Sequence, residues 1–234
     1  MPRLTVATYN TNQEQRGRDA ALDDLLQEEE TMICLQEVNP VRALAIKRAF
    51  GSRAFVSLAK YGLLYLALVL PEETRFLERH TAPLNGYGGI FPQPWSLRLS
   101  YELYRARRPA WRDGLEPRVA QVVRVLWQGW EFRLVNTHLP FESGLRNRCL
   151  DLLPGFLDAE SVLLTGDLNA TTQNLFLADF LLETGLRVAG TEEPTHDTGR
   201  KIDFVLYRGN FREVGYSLTK SLSGHRLVRV ELEV

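Results

Sequence analysis

Several features that would narrow the class of this chain are scarce or missing. It has two cysteines in 234 residues, Cys34 in an apolar run and Cys149 in a predicted helix. That count excludes a disulfide framework, and no zinc-ligand spacing accompanies it. Net charge is −1, from 28 basic and 29 acidic residues. No overall charge marks a nucleic-acid or membrane binder, although local patches can still act that way. The N-terminal stretch MPRLTVATYN lacks a long apolar segment of the signal-peptide type. The run LLYLALVL at 63–70 is far too short to span a bilayer. The sequence therefore predicts a soluble cytoplasmic protein. There is no GxSxG, no Walker loop and no HExxH, so serine-hydrolase, P-loop and zinc-protease chemistry lack their usual anchors. No internal repeat, low-complexity tract or interdomain linker stands out, so residues 1–234 are expected to form one domain.

Short apolar runs are plentiful. With 44% hydrophobic residues the chain can bury a substantial core. The runs predict strands at Leu4–Tyr9, Met32–Gln36, Ala54–Leu58, Leu63–Leu70, Val119–Trp127, Glu131–Thr137, Ser161–Gly166, Ile202–Tyr207, Glu213–Leu218 and Leu227–Val234. Helical patterns fall at Arg18–Glu30, Pro40–Phe50, Ser143–Leu153 and Gln173–Glu183. Strands outnumber helices and do not alternate strictly with them. This favours an α+β sandwich over a doubly wound parallel sheet. Residues 83–117 are the most irregular segment, rich in Pro, Gly, Arg and aromatics.

The apolar runs often end in polar residues able to do chemistry. Asn10 shares strand parity with Leu4 and Val6, and Asn12 follows it. Glu37 shares parity with Ile33 and Leu35. Asn136 and His138 share parity with Phe132 and Leu134. The run SVLLTGDLNA ends in Asp167 and Asn169. Asp203 shares parity with Val205 and Tyr207, and His225 just precedes the last strand. Taken singly, the Asn and Asp residues read as turn formers and each His as an ordinary surface or core group. Asp203 is harder to dismiss, because Asp is disfavoured within a strand and needs a partner when buried. Converging at one end of a packed sheet pair, the set suits phosphate-ester hydrolysis. Carboxylate and amide oxygens favour a hard ion such as Mg²⁺ or Mn²⁺. A carboxylate can activate water, and an imidazole can stabilise phosphoryl oxygens.

The ordered series YNTN, LQEV, VNTHL, TGDLNA, KIDFVL and SGH resembles the endonuclease/exonuclease/phosphatase superfamily, which includes DNase I-like and exonuclease III-like nucleases. The match runs from residue 4 to the C-terminus. The resemblance implies a four-layer α/β/β/α sandwich of two mainly antiparallel or mixed sheets, with the site at one edge of the facing sheets. It implies Glu37 as the main ligand of Mg²⁺ or Mn²⁺, with Asn10 and Asn12 beside the metal. It implies Asp167 as the residue that activates water and Asn169 as its phosphate-holding neighbour. Asp203 would orient His225, which would stabilise the phosphate. Asn136 and His138 would support the site.

Two departures stand out. Asn12 falls where several members carry Asp. Ser223-Gly224-His225 replaces the usual Ser-Asp-His, leaving Glu37 as the one clear carboxylate ligand. Weaker metal binding, a preference for Mn²⁺ or an inactive relative would follow.

The substrate clue is the segment Trp95–Arg112. Here Arg98, Arg105, Arg107, Arg108 and Arg112 interleave with Trp95, Tyr101, Tyr104 and Trp111. Arginines bind phosphates and aromatics stack on bases. The expectation is a metal-dependent phosphodiesterase acting on nucleic acid, DNA foremost, as a monomer. The alternatives are a phosphomonoesterase acting on inositol phosphates or another small metabolite, and a silent phosphate-binding fold.

Overall fold

The computed structural model describes residues 2–15, 17–60, 64–84 and 118–234. In chain order the first half holds β1 (Arg3–Asn10), α1 (Ala20–Leu25), β2 (Thr31–Val38), α2 (Pro40–Phe50), β3 (Ala54–Lys60), β4 (Leu64–Val69) and β5 (Thr74–Pro83). The second half holds β6 (Val119–Trp127), β7 (Trp130–His138), α3 (Ser143–Leu152), β8 (Val162–Asp167), α4 (Leu175–Thr184), β9 (Arg187–Val188), β10 (Asp203–Arg208), β11 (Arg212–Thr219) and β12 (Leu227–Glu233). Tyr101, Tyr104, Arg105, Arg107 and Arg108 lie outside the described residues.

The strands form two mixed six-stranded sheets, ordered β11-β12-β1-β2-β4-β3 and β5-β6-β7-β8-β10-β9. Strand alternation sorts the apolar side chains into three layers. Leu4, Val6, Met32, Cys34, Leu134, Leu163 and Val205 fill the space between the sheets. Ala7, Tyr9, Ile33 and Leu35 face the other way, onto Leu22 and Leu25 of α1 and Ala43 and Ile46 of α2. Val135, Leu164 and Leu206 pack on Cys149 and Leu150 of α3 and Leu177 and Phe180 of α4. The result is the expected α/β/β/α sandwich. Fully burying each aliphatic side chain contributes about 1.5–3 kcal/mol.

Local signals start the helices. Asn39 accepts the Arg42 N–H ahead of Pro40, and Asn174 accepts the Leu177 N–H. Helix α1 is much shorter than the expected Arg18–Glu30. It begins at the cap Asp19, whose side chain accepts the Ala21 N–H, and its last turn ends near Leu26. Strand β5 has no counterpart among the predicted strands. Its sequence TRFLERHTAP is largely exposed, so the hydrophobic period that marks a strand is absent. Among the described residues it pairs with β6 alone, at a sheet edge where charge is common.

Parallel pairing sets the site. β1 runs parallel to β2, and β7 parallel to β8. Their C-terminal ends therefore emerge together, at one end of the core between the sheets. β10 runs antiparallel to β8 and enters at that same end.

Candidate active site

Beneath this end of the core lies a layer of buried amides. Asn136 Oδ1 accepts from Gln36 Nε2 at 2.8 Å, and Asn136 Nδ2 donates to Gln121 Oε1 at 2.9 Å. Gln36 Nε2 also donates to Thr8 Oγ1, and Gln121 Nε2 to the Phe55 carbonyl. These bonds pin the two sheets together across the apolar layer. Buried polar groups require such partners. Asn136 is fully buried in this layer and does not line the pocket above it. Gln36 and Gln121 were not singled out from sequence, because a strand-internal Gln gives no signal of what it meets across two sheets.

Above the amides the strand ends converge on an open pocket of about 350 Å³. Its lining includes Asn10, Asn12, Glu37, His138, Asp167, Asn169 and His225. For Asn10, His138 and Asp203, strand alternation points the side chain toward the space between the sheets, as parity predicts. Glu37 arrives differently. Ile33 and Leu35 face the helices, so unbroken alternation would send Glu37 there too. A register shift between Leu35 and Val38, with Glu37 at φ 51°, turns its carboxylate into the pocket. Asn169 is also left-handed, at φ 51°. A non-glycine residue in this region costs of order 1 kcal/mol, and such strain clusters at functional sites.

Asp167 is the hub. Its Oδ1 accepts the Asn169 N–H at 2.9 Å and its Oδ2 accepts from Asn10 Nδ2 at 3.0 Å. Asn10 Oδ1 in turn accepts the Asn12 N–H, and Asn12 Nδ2 donates to the Ser223 carbonyl. Burial and the neighbouring Asp203 charge push Asp167 up to about 7, against the pull of His225, Asn10 and the Asn169 N–H.

Asp203 is fully buried, and both its oxygens lie 3.0 Å from His225 Nδ1. Burial disfavours the imidazolium. The Asp203 hydrogen bond and charge, with Asp167 and Glu37, outweigh it and raise His225 to about 9. Nδ1 is thus occupied, and Nε2 is the ring nitrogen left for a ligand.

Asn169 Nδ2 donates to the Leu139 carbonyl at 2.9 Å and lies 3.2 Å from His138 Nε2. Donating there makes His138 Nε2 an acceptor and leaves its proton on Nδ1, 3.6 Å from Glu37 Oε1.

Asp167, Asp203 and His225 have ligand atoms within 4.8 Å of one another, a spacing a metal could use. Both Asp203 oxygens are already engaged by His225, so this group is a hydrogen-bond system first. Glu37 is the better fit for a hard divalent ion. It is an oxygen donor on the pocket wall, beside the Asn10 carboxamide. Such an ion commonly takes one or two carboxylates and completes its shell with water and substrate oxygens. Gly224, in the position usually held by Asp, has φ 91°, which an L side chain rarely adopts.

Residues 7–223 match the model of the endonuclease/exonuclease/phosphatase family. The chain belongs to the endonuclease/exonuclease/phosphatase family. Members of this family are phosphoric-ester hydrolases. No curated protein matches the sequence. Among solved structures, an endonuclease/exonuclease/phosphatase from Bacteroides vulgatus superposes with a TM-score of 0.75 at 14% identity, covering all of both chains. D. rerio TDP2 complexed with single-strand DNA product gives 0.69 at 12% identity, again over all of both chains. Bacteroides thetaiotaomicron mannosyl-6-phosphatase gives 0.67 at 14% identity, over 99% of this chain and all of that one. At these identities the likeness is one of fold.

The family pocket also contains residues that the sequence did not flag. His196, Thr198 and Arg200 reach it from a loop tied to the start of β12, where Arg226 N–H donates to the Thr195 carbonyl and Asp197 N–H to the Gly224 carbonyl. The His196 ring lies edge-to-face with His225, centroids 4.5 Å apart. Arg118 and Phe141 complete the wall. The stretch THDTGR reads as an ordinary turn, and only the folded chain brings it to the site. Among the described residues, no helix is long and apolar enough to cross a membrane.

Proposed function

We propose that this chain is a metal-dependent phosphodiesterase that hydrolyses nucleic-acid backbone. The carrying observation is a base-like carboxylate, Asp167, beside the Asp203–His225 pair, in a pocket that Glu37 also lines. Mg²⁺ or Mn²⁺ held by Glu37 and Asn10 would neutralise phosphate charge and help orient the ester.

The chain's own groups do the rest. Asp167, held near neutrality, takes a proton from the attacking water, whose oxygen forms the new bond to phosphorus as the ester oxygen leaves. Asn10 and the Asn169 N–H aim the Asp167 carboxylate. His225, protonated at neutral pH and oriented by Asp203, stabilises the charge on the phosphoryl oxygens through Nε2. Asn169 and Glu37 hold His138 between them at the pocket floor. The arginines and aromatics of Trp95–Arg112 support a nucleic-acid substrate by composition.

A monoester reading has its own support, since the mannosyl-6-phosphatase shares the fold. Supercoiled plasmid and an abasic-site oligonucleotide, incubated with Mg²⁺, Mn²⁺ or EDTA, separate the two. Metal-dependent cutting is expected, lowered roughly 10²–10⁴-fold by Asp167→Ala. Phosphate release from small monoesters without strand cutting would make the chain a phosphomonoesterase. Silence on every substrate, with folding intact, would remove the enzymatic reading.

A further inference from the structure

One wall of the pocket carries positive charge that the proposed chemistry does not use. Arg200 Nη2 and Arg146 Nη1 both donate to one acceptor, the Asn169 carbonyl, at 3.3 and 3.0 Å. Arg146 also reaches the Phe141 carbonyl at 3.0 Å. Among the described residues no carboxylate forms an ion pair with either guanidinium. Arg146 is buried, with its Nε unpartnered. Burial and the nearby Arg200 charge push its pKa down. Glu142 offsets part of the Arg146 charge from a distance, but both guanidiniums lean on one neutral carbonyl, and an anion beside Arg200 would be stabilised.

Phe141 stands at the same place. It is 67% exposed, lines the pocket, and lies 5.9 Å from the Arg200 guanidinium carbon. A large aromatic left bare at a pocket mouth offers a flat face for another ring. Both features adjoin the Asn169 turn, which positions Asp167. They therefore flank the place where the scissile phosphate would sit.

We propose that Arg200 and Phe141 form a subsite beside the scissile phosphate that takes a second backbone phosphate and the base next to it. The substrate is then an extended single strand rather than an isolated phosphate ester. Arg200 supplies the charge, Arg146 adds to the field from behind, and Phe141 provides the stacking face. The inference rests on the phosphodiesterase reading for the position of the scissile phosphate.

Equilibrium binding of a short fluorescent oligothymidylate tests it. The protein carries Asp167→Asn to suppress cutting, with Mg²⁺ present and salt varied. Arg200→Gln is expected to weaken binding about tenfold and to reduce the slope of log affinity against log salt by about 0.7, one phosphate contact on a single strand. Phe141→Ala is expected to weaken binding fivefold or more with the salt slope unchanged. Phe141 is exposed, so this second variant does not threaten the fold.

A salt slope unaltered by Arg200→Gln would reduce Arg200 to a support for Asn169 and overturn the proposal. So would failure of the Asp167→Asn protein to bind the oligonucleotide. Binding that depends on Arg200 and Phe141, with no cutting by the wild-type chain, would leave the subsite standing and remove the phosphodiesterase reading instead.

Discussion

Asp203 and Asp167 face each other on one rung of the β8–β10 pairing, both buried, at 3.0 and 3.9 Å from the same nitrogen of His225. Two carboxylates this close cannot both carry charge cheaply away from water. His225 sits where it offsets both, and its hydrogen bonds go to Asp203. The result is a division of labour in which Asp203 stays with the imidazole and Asp167 holds its proton up to about 7.

Activity should follow these two groups. Asp167 must lose its proton to act as base, and His225 must keep its own. With values of about 7 and about 9, kcat/KM should rise through pH 7 and fall through pH 9. A pH-rate profile checks this, and Asp203→Asn should move the alkaline limb to lower pH by removing the charge that raises His225.

Stability should fall over part of the same range. Asp167 is raised from 3.8 to about 7 and His225 from 6.5 to about 9, so each binds its proton more tightly folded than unfolded. Such a contribution is whole below the unfolded value and is lost as pH rises through the folded one. The Asp167 contribution is lost between 3.8 and about 7, and that of His225 between 6.5 and about 9. The denaturant midpoint should therefore drop from pH 6.5 to pH 9. A midpoint that rises across that interval contradicts the assignment.

Gly166 sits one residue before Asp167, at φ 139°, and a Cβ there would lie 1.9 Å from the Thr137 carbonyl oxygen. Because the obstacle is the backbone of β7, neither strand can yield without breaking the β7–β8 pairing. Gly166→Ala should cost roughly 2–4 kcal/mol, from strain and lost pairing. Urea unfolding measures it, and a loss under 1 kcal/mol would show that the strands can separate without penalty.

Asn136→Leu tests the amide layer. The substitution keeps the approximate volume but leaves Gln121 Oε1 without its partner and takes one bond from Gln36 Nε2, which keeps Thr8 Oγ1 and the Cys34 carbonyl. One buried group left unpaired costs about 1–3 kcal/mol and one lost hydrogen bond about 0.5–1.5 kcal/mol, so a loss of roughly 2–4 kcal/mol is expected. Asn136 lies below the pocket, so kcat of the folded fraction should change much less than in Asp167→Ala. A variant as stable as wild type would show that the layer contributes no net stability.

Strand alternation made much of this site legible. Asn10, His138 and Asp203 each continue an apolar face that packs between the sheets, so the period of two that identifies the strand also aims the polar residue. Glu37 was legible by its motif and not by its parity, because a left-handed residue at a register shift breaks the alternation. Strand β5 was hidden because an exposed edge strand has no apolar period. His196, Arg200 and Phe141 gave no signal because loop residues acquire a role only from what the fold sets beside them.

The chain by itself determined the layered class, the strands of the core and most of the polar set at their ends. These follow from local rules, since burial selects an apolar period and the period fixes which side each residue faces. Tertiary structure alone decided the partners. The rung shared by Asp167 and Asp203 exists because β10 runs antiparallel to β8 in one register. The amide layer exists because two sheets, distant in sequence, meet face to face. The charges on the pocket wall converge because Arg146 on α3 and Arg200 on a loop share one carbonyl. Hydrogen bonds and pKa shifts depend on distances of a few ångströms between residues far apart in the chain, and no local pattern encodes those distances.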